Sequence, residues 1–225
     1  MKNLLAIYMF IITGMSYCNA QSLDVYVRNC RVKDDKEVDL YGFNVYKNDV
    51  LIKTVHTDRG DSKTVPVKEP GTYRIEYKTL FGMTENVFAD VSRDKKYTVE
   101  LCVDYFNYAA EPYVPIISRL QSGETYTIEM SSQGCFHHSA DTIVVANRSG
   151  EFYLLFGGVE RKLSDKDIET IKHFEIELNH MESSGCTTEV TYDLIYNNKK
   201  TRITDGSCSW NGSNYLKRNL HLIQQ

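Results

Sequence analysis

No two cysteines of this 225-residue chain stand as Cys-x-x-Cys, the paired arrangement on which most structural zinc sites are built. Past residue 20 no stretch reaches the roughly 18 consecutive apolar residues of a membrane helix, so no transmembrane segment is expected in the mature chain. Positive charge is also short: 26 Lys and Arg face 30 Asp and Glu, with the signs interspersed. A chain without a basic face gives phosphates little to bind, which argues against nucleic acid as a partner. Proline occurs 4 times and tryptophan once, whereas there are 16 Tyr and 9 Phe beside many Val and Thr. That balance favours strands.

The longest apolar run lies at the start, from Leu4 to Ile12, preceded by Lys2 and followed by Gly14 and then Ala20 before Gln21. A charged start, a short apolar centre and a small residue at the end are the three parts of a signal peptide. Residues 1–20 are therefore set apart from the fold, with cleavage expected before Gln21 and export to the periplasm, cell surface or medium of a bacterium. Cleavage before Cys18 would instead give a lipoprotein, but Tyr17 stands where that signal wants a small residue. Without its leader the chain loses only Lys2, leaving 25 bases against 30 acids, or -5. Cys30, Cys102, Cys135, Cys186 and Cys208 remain. Exported thiols usually pair, and an odd count leaves one over.

From Leu23 to Phe106 the chain alternates apolar and polar residues in short runs separated by turns, among them Asn48-Asp49, Gly71 and Arg93-Asp94-Lys95-Lys96. Seven such runs predict an antiparallel β-sandwich over residues 21–106. Cys30 closes the first run and Cys102 lies in the last, and the first and last strands of a small sandwich are often neighbours. A Cys30–Cys102 disulfide follows as the natural pairing, with two buried thiols as the alternative. Arg59-Gly60-Asp61 reads as a polar hairpin loop rather than an adhesion signal. The run from Arg31 to Glu37 reads as a solvated loop, because its lysines would repel a cation.

The stretch VYKNDVLIKTVHTDRGDSKTVPVKEPGTYRIEY, through Thr57, Asp58, Gly60, Gly71 and Tyr73, resembles the carboxypeptidase-regulatory-like, or transthyretin-like, sandwich domains of exported bacterial proteins. The resemblance implies a structural or interaction module, since such domains bring no catalytic residues.

At residues 107–115, NYAAEPYVP, the periodicity lapses, which marks a linker whose Tyr108, Tyr113 and Val114 equip it to pack as a strap. Residues 116–225 then predict an α+β domain of two layers. Strands are expected near Thr125 to Ser131, Thr142 to Asn147 and Glu151 to Phe156, and a hairpin is expected to turn at Asn197-Asn198. Ser164 with Asp167 forms the N-terminal cap of a helix whose Ile168, Ile171, Phe174, Leu178 and Met181 make one apolar stripe. A short last helix brings Tyr215, Leu216 and Leu220 to the core. The motifs GCFHH, LSDKDIETI and CTTEVTYDLIYNNKKTRITDGSCSW resemble small uncharacterised domains of exported bacterial proteins, which implies an architecture and no activity.

The stretch SQGCFHH concentrates a thiol and two imidazoles. Cys135 and His137, two apart on one strand, would share a face. Together with Cys186 and Cys208 they would form a zinc or copper set, and alone they would form a thiol nucleophile with its base. Against both stands the simpler arrangement in which two of Cys135, Cys186 and Cys208 are bridged and the third, Cys135 if the hairpin cysteines pair, is a free thiol. His173, Glu177 and His180 fall on one helix face, and Glu177-x-x-His180 is half of a di-iron motif whose other half is missing, so a solvated face is expected. Trp210 is expected to fill the core rather than to stack on a sugar. The sequons Asn147-Arg148-Ser149 and Asn211-Gly212-Ser213 matter only in a eukaryotic secretory pathway.

The reading as a whole is an exported binding or structural module without a cofactor, rather than an enzyme, that contacts a protein or glycan. The alternatives are a metal- or thiol-dependent activity at Cys135 and His137, and an exported inhibitor or immunity protein.

Overall fold

A computed structural model describes residues 21–31, 40, 42–57, 62–92, 96–134, 137–181, 187–207 and 209–223, with His137 by its backbone alone. The expected signal peptide, Cys18, Cys135, Cys186, Cys208 and the Arg59-Gly60-Asp61 loop lie outside them.

The first body is a sandwich of two sheets. β1 (Gln21–Arg28), β4 (Lys63–Val67) and β7 (Lys96–Cys102) form one sheet in the order β4-β1-β7. β2 (Gly42–Lys47), β3 (Val50–His56), β5 (Gly71–Lys78) and β6 (Thr84–Val91) form the other, ordered β3-β2-β5-β6. Period-two alternation sends Leu23 and Val25 of β1 inward to meet Val45, Tyr73 and Ile75 of the facing sheet. The β2–β3 hairpin turns on Asn48 and Asp49, both at positive φ (50° and 61°), a conformation these residues tolerate.

One pairing departs from the antiparallel expectation: β1 and β7 run parallel, from Ser22 opposite Lys96 to Arg28 opposite Cys102. β7 reaches β1 by crossing from the other sheet, and a crossover, unlike a hairpin, permits parallel strands. Because Arg28 lies opposite Cys102, Cys30 follows within bridging distance. The Cys30–Cys102 disulfide is formed, with Cα atoms 5.3 Å apart.

The second body is two layers. Its sheet contains β8 (Thr125–Gly134), β9 (His137–Arg148), β10 (Glu151–Phe156), β11 (Val159–Lys162), β12 (Glu189–Tyr196) and β13 (Lys199–Asp205) in the antiparallel order β11-β10-β9-β8-β12-β13. α2 (Asp165–Asn179) and α3 (Gly212–Asn219) complete the core. Ile171, Phe174 and Leu178 of α2 meet Tyr126, Ile128 and Tyr192 of the sheet, while Leu216 and Leu220 enter from the last helix. The Ser164 cap is a full capping box with Asp167.

Residues 107–115 are an ordered strap: a single 3-10 turn, Tyr108–Ala110, leads to the one-turn helix α1 (Ile116–Arg119). Phe81, from the β5–β6 turn of the first body, and Phe106 both enter the second core, and Leu80 borders both cores. Among the described residues no helix is long and apolar enough to cross a membrane.

Candidate functional site

Polar chemistry is concentrated on the last two turns of α2, where Phe174 to Leu178 are buried all round. A helix buried on every side is ordinarily apolar, yet this one carries Glu175 and Glu177. Each needs a dedicated partner, because an unsatisfied buried carboxylate is among the costliest groups a fold can hold.

Glu177 is 3% exposed and accepts from three donors on three segments. Arg31, arriving from the first body, donates from Nη1 to its Oε1 at 2.5 Å. The Tyr108 hydroxyl of the strap donates to the same oxygen, and Trp210 Nε1 donates to Oε2 at 3.0 Å. The Arg31 guanidinium lies between two rings, 5.3 Å from the Tyr108 centroid and 5.2 Å from that of Tyr215, and donates from Nη2 to the Tyr215 hydroxyl at 3.2 Å. Burial works against the Arg31 charge, but the Glu177 charge and hydrogen bond outweigh it and raise the guanidinium pKa. Burial, followed by the negative charge of Glu177, raises that of the Tyr108 phenol and keeps it a donor. His173 stacks on Tyr108 at 3.7 Å between centroids. Burial first and the Arg31 charge second lower its pKa, favouring the neutral imidazole.

Glu175 is fully buried. It accepts from the backbone N–H of Ile116 at 2.6 Å and of Ile117 at 3.3 Å, pinning the start of α1. Among the described residues no cation bonds it directly, so burial prevails over these amides and over Arg119, and its pKa rises to about 7. The Tyr126 hydroxyl lies close enough to perturb Glu175 without completing a hydrogen bond. A third tie joins His180 Nε2 to Glu111 Oε2 at 2.7 Å. α2 and its C-cap His180 thus clasp the strap at Tyr108 and Glu111 and the start of α1 at Ile116.

Two expectations are corrected here. His173, Glu177 and His180 do not form a solvated face, because the strap and the first body cover it. Arg31 is not part of a solvated loop: the Asp104 carboxylate accepts from the Cys30 and Arg31 amides, each at 2.7 Å, and turns the side chain into the second body. Arg31 therefore went unrecognised among the loop charges, as did Glu111, whereas Tyr108 packs in the strap as its sequence suggested. The signal that was available is helical spacing, since Glu175 stands four residues after Ile171 and three before Leu178, inside the apolar stripe.

Trp210 packs in the core as expected, stacked on Phe174 at 5.7 Å. Tyr215 faces Arg31 instead of joining Leu216 and Leu220 in the interior.

Of the proposed thiol and metal set, Cys135, Cys186 and Cys208 lie outside the described residues and only the backbone of His137 is described. Gly134 ends β8 and His137 begins β9, and the two pair across the hairpin; the expectation that Cys135 and His137 share a strand face falls on residues outside the described ones. Glu189 pairs with Gln133 in the same sheet. Among the described residues no group of three or more His, Cys, Asp or Glu is placed to hold a metal ion. No family model, curated protein or solved structure matches the chain.

Proposed function

We propose that the protein is an exported, non-catalytic binding module whose partner is a protein docking on the outer face of the β3-β2-β5-β6 sheet. The observation that carries this reading is a cross-strand row of Leu51, Tyr46, Arg74 and Phe88, set by the pairings of Tyr46 with Leu51 and Arg74 and of Arg74 with Phe88. Leu51 and Phe88, at its ends, are 50% and 65% exposed. The register shift beside Tyr46 leaves Ile52 as an extra residue, also exposed. At the centre the Arg74 guanidinium lies 3.9 Å from the Tyr46 centroid and donates to Glu76 and Asn86, both at 2.9 Å. Tyr46 donates to Glu76 at 3.0 Å.

Aromatic and arginine side chains dominate the energetics of protein interfaces. Side chains already held in place lose less entropy on binding. Export is supported by the composition of residues 1–20 and by the Cys30–Cys102 disulfide, a bond that persists in oxidising compartments.

The test is site-specific photo-crosslinking in the cells that make the protein, with the probe at Phe88 and, as a control, at the equally exposed Val159 of β11. A discrete adduct at Phe88, absent at Val159 and lost on Leu51→Asp, is the expected result. Equal adducts at both positions, or none at Phe88, would sink the reading.

A further inference from the structure

The Glu177 cluster divides into a receptor and a ligand that are anchored separately. On the receptor side, the Tyr108 and Trp210 side chains and the backbone of Tyr215 are anchored by contacts other than Arg31. Tyr108 is held by stacking on His173 and on Phe106, 5.0 Å away, and by its hydroxyl on Glu177. Trp210 is held by Phe174 and by its own bond to Glu177. Tyr215 is carried by α3, where its amide donates to Asn211 O at 2.9 Å and Asn219 Nδ2 donates to its carbonyl at 2.8 Å. On the ligand side, the Cys30–Cys102 bridge and the Asp104 carboxylate fix the backbone from which Arg31 projects.

The geometry points to a guanidinium-binding cage in the second body, built from Glu177, Tyr108, Tyr215 and Trp210, whose resident ligand is Arg31 supplied in cis. Two features select a guanidinium over an ammonium. The two tyrosine rings flank a delocalised cation. Glu177 takes one arm of the planar fork and the Tyr215 hydroxyl takes the other, a division that a point charge cannot match. For either cation, the anchored Tyr108 and Trp210 walls need little reordering on binding. Tethering keeps the wild-type cage full, because the intramolecular arginine acts at a high effective concentration. This inference stands apart from the proposed docking face, which lies on the first body.

The test uses the full chain with its disulfide intact and reads the fluorescence of Trp210, the only tryptophan and itself a wall of the cage. In Arg31→Ala, methylguanidinium should give a saturable change with a millimolar midpoint and raise the melting temperature. Methylammonium should act about tenfold more weakly, and the wild type should respond to neither. A folded Arg31→Ala protein that shows no guanidinium-selective saturation overturns the proposal, as does a wild type that responds like the variant. If Arg31→Ala does not fold, Arg31→Lys takes its place: it should melt below the wild type and recover in methylguanidinium but not methylammonium. A lysine variant that melts like the wild type, or that recovers equally in both, contradicts the cage.

Discussion

Glu175 and Glu177 stand two residues apart on α2, both buried, and they solve the same problem in opposite ways. Glu177 faces a cation and two further donors, so its charge is compensated from outside its own domain. Glu175 faces two amides of a one-turn helix, and burial leaves it poised to take up a proton near neutrality. Depth is nearly equal, so what separates the two carboxylates is the neighbour each accepts from, a guanidinium for Glu177 and two amides for Glu175. The same helix consequently offers one weld closed by a cation and one that responds to neutral pH.

The largest way to break this contrast is to free Arg31 at its root. Reducing the Cys30–Cys102 bridge, which spans a sequence separation of 72, should cost about 4 kcal/mol on the chain-entropy argument. Urea unfolding with and without reductant checks it, and Trp210 fluorescence should shift before global unfolding.

Removing the cation directly comes next. Arg31→Ala leaves Glu177 buried without its counter-charge and should cost about 3–4 kcal/mol, the lower end of the range for a broken buried pair because Arg31 itself is partly exposed. Glu177→Gln should cost less, since the freed guanidinium can reach water. Equal losses in denaturant titrations of the two variants would contradict that asymmetry.

Glu175 is tested by pH. Its folded pKa lies above the unfolded value, 4.5 rising to about 7, so the folded chain holds the extra proton between those limits. Its contribution is therefore fully present below about pH 4.5 and falls as pH rises through 7, by up to about 3 kcal/mol. Glu175→Gln should flatten that component and exceed the wild type in stability at pH 8. Its new amide can donate to the otherwise unbonded Tyr126 hydroxyl. Thermal unfolding at pH 5 and pH 8 measures it.

The smallest effect is expected from Tyr108→Phe, which removes one of the donors to Glu177 and keeps the stack on His173. A loss of about 1 kcal/mol is anticipated, and a loss as large as that of Arg31→Ala would show that the hydroxyl, not the guanidinium, carries the weld.

Local chemistry made most of the fold legible. Asn48-Asp49 and Asn197-Asn198 mark turns because they accept positive φ, and the latter fixes the β12–β13 register that sets Val190 opposite Asp205. Ser164 and Asp167 mark a helix start because they bond the amides and hydroxyl within their own turn. β11 went unpredicted because Val159-Glu160-Arg161-Lys162 has no alternation of its own and exists by pairing with β10. The candidate site was hidden for a related reason. Arg31, Tyr108, Glu177 and Tyr215 are far apart in sequence, and nothing local distinguishes an arginine in a charged loop from one that crosses to another domain. Glu175 was the exception, a carboxylate inside an apolar stripe.

The most direct test of this account is a 13C titration of the glutamate side-chain carboxyls from pH 4 to 9, with Glu175→Gln used to assign the resonance. The account predicts that Glu175 titrates near pH 7, two or more units above an ordinary glutamate. A Glu175 resonance that titrates in the usual carboxylate range would contradict it, and would mean that two backbone amides suffice to hold a buried charge on this helix.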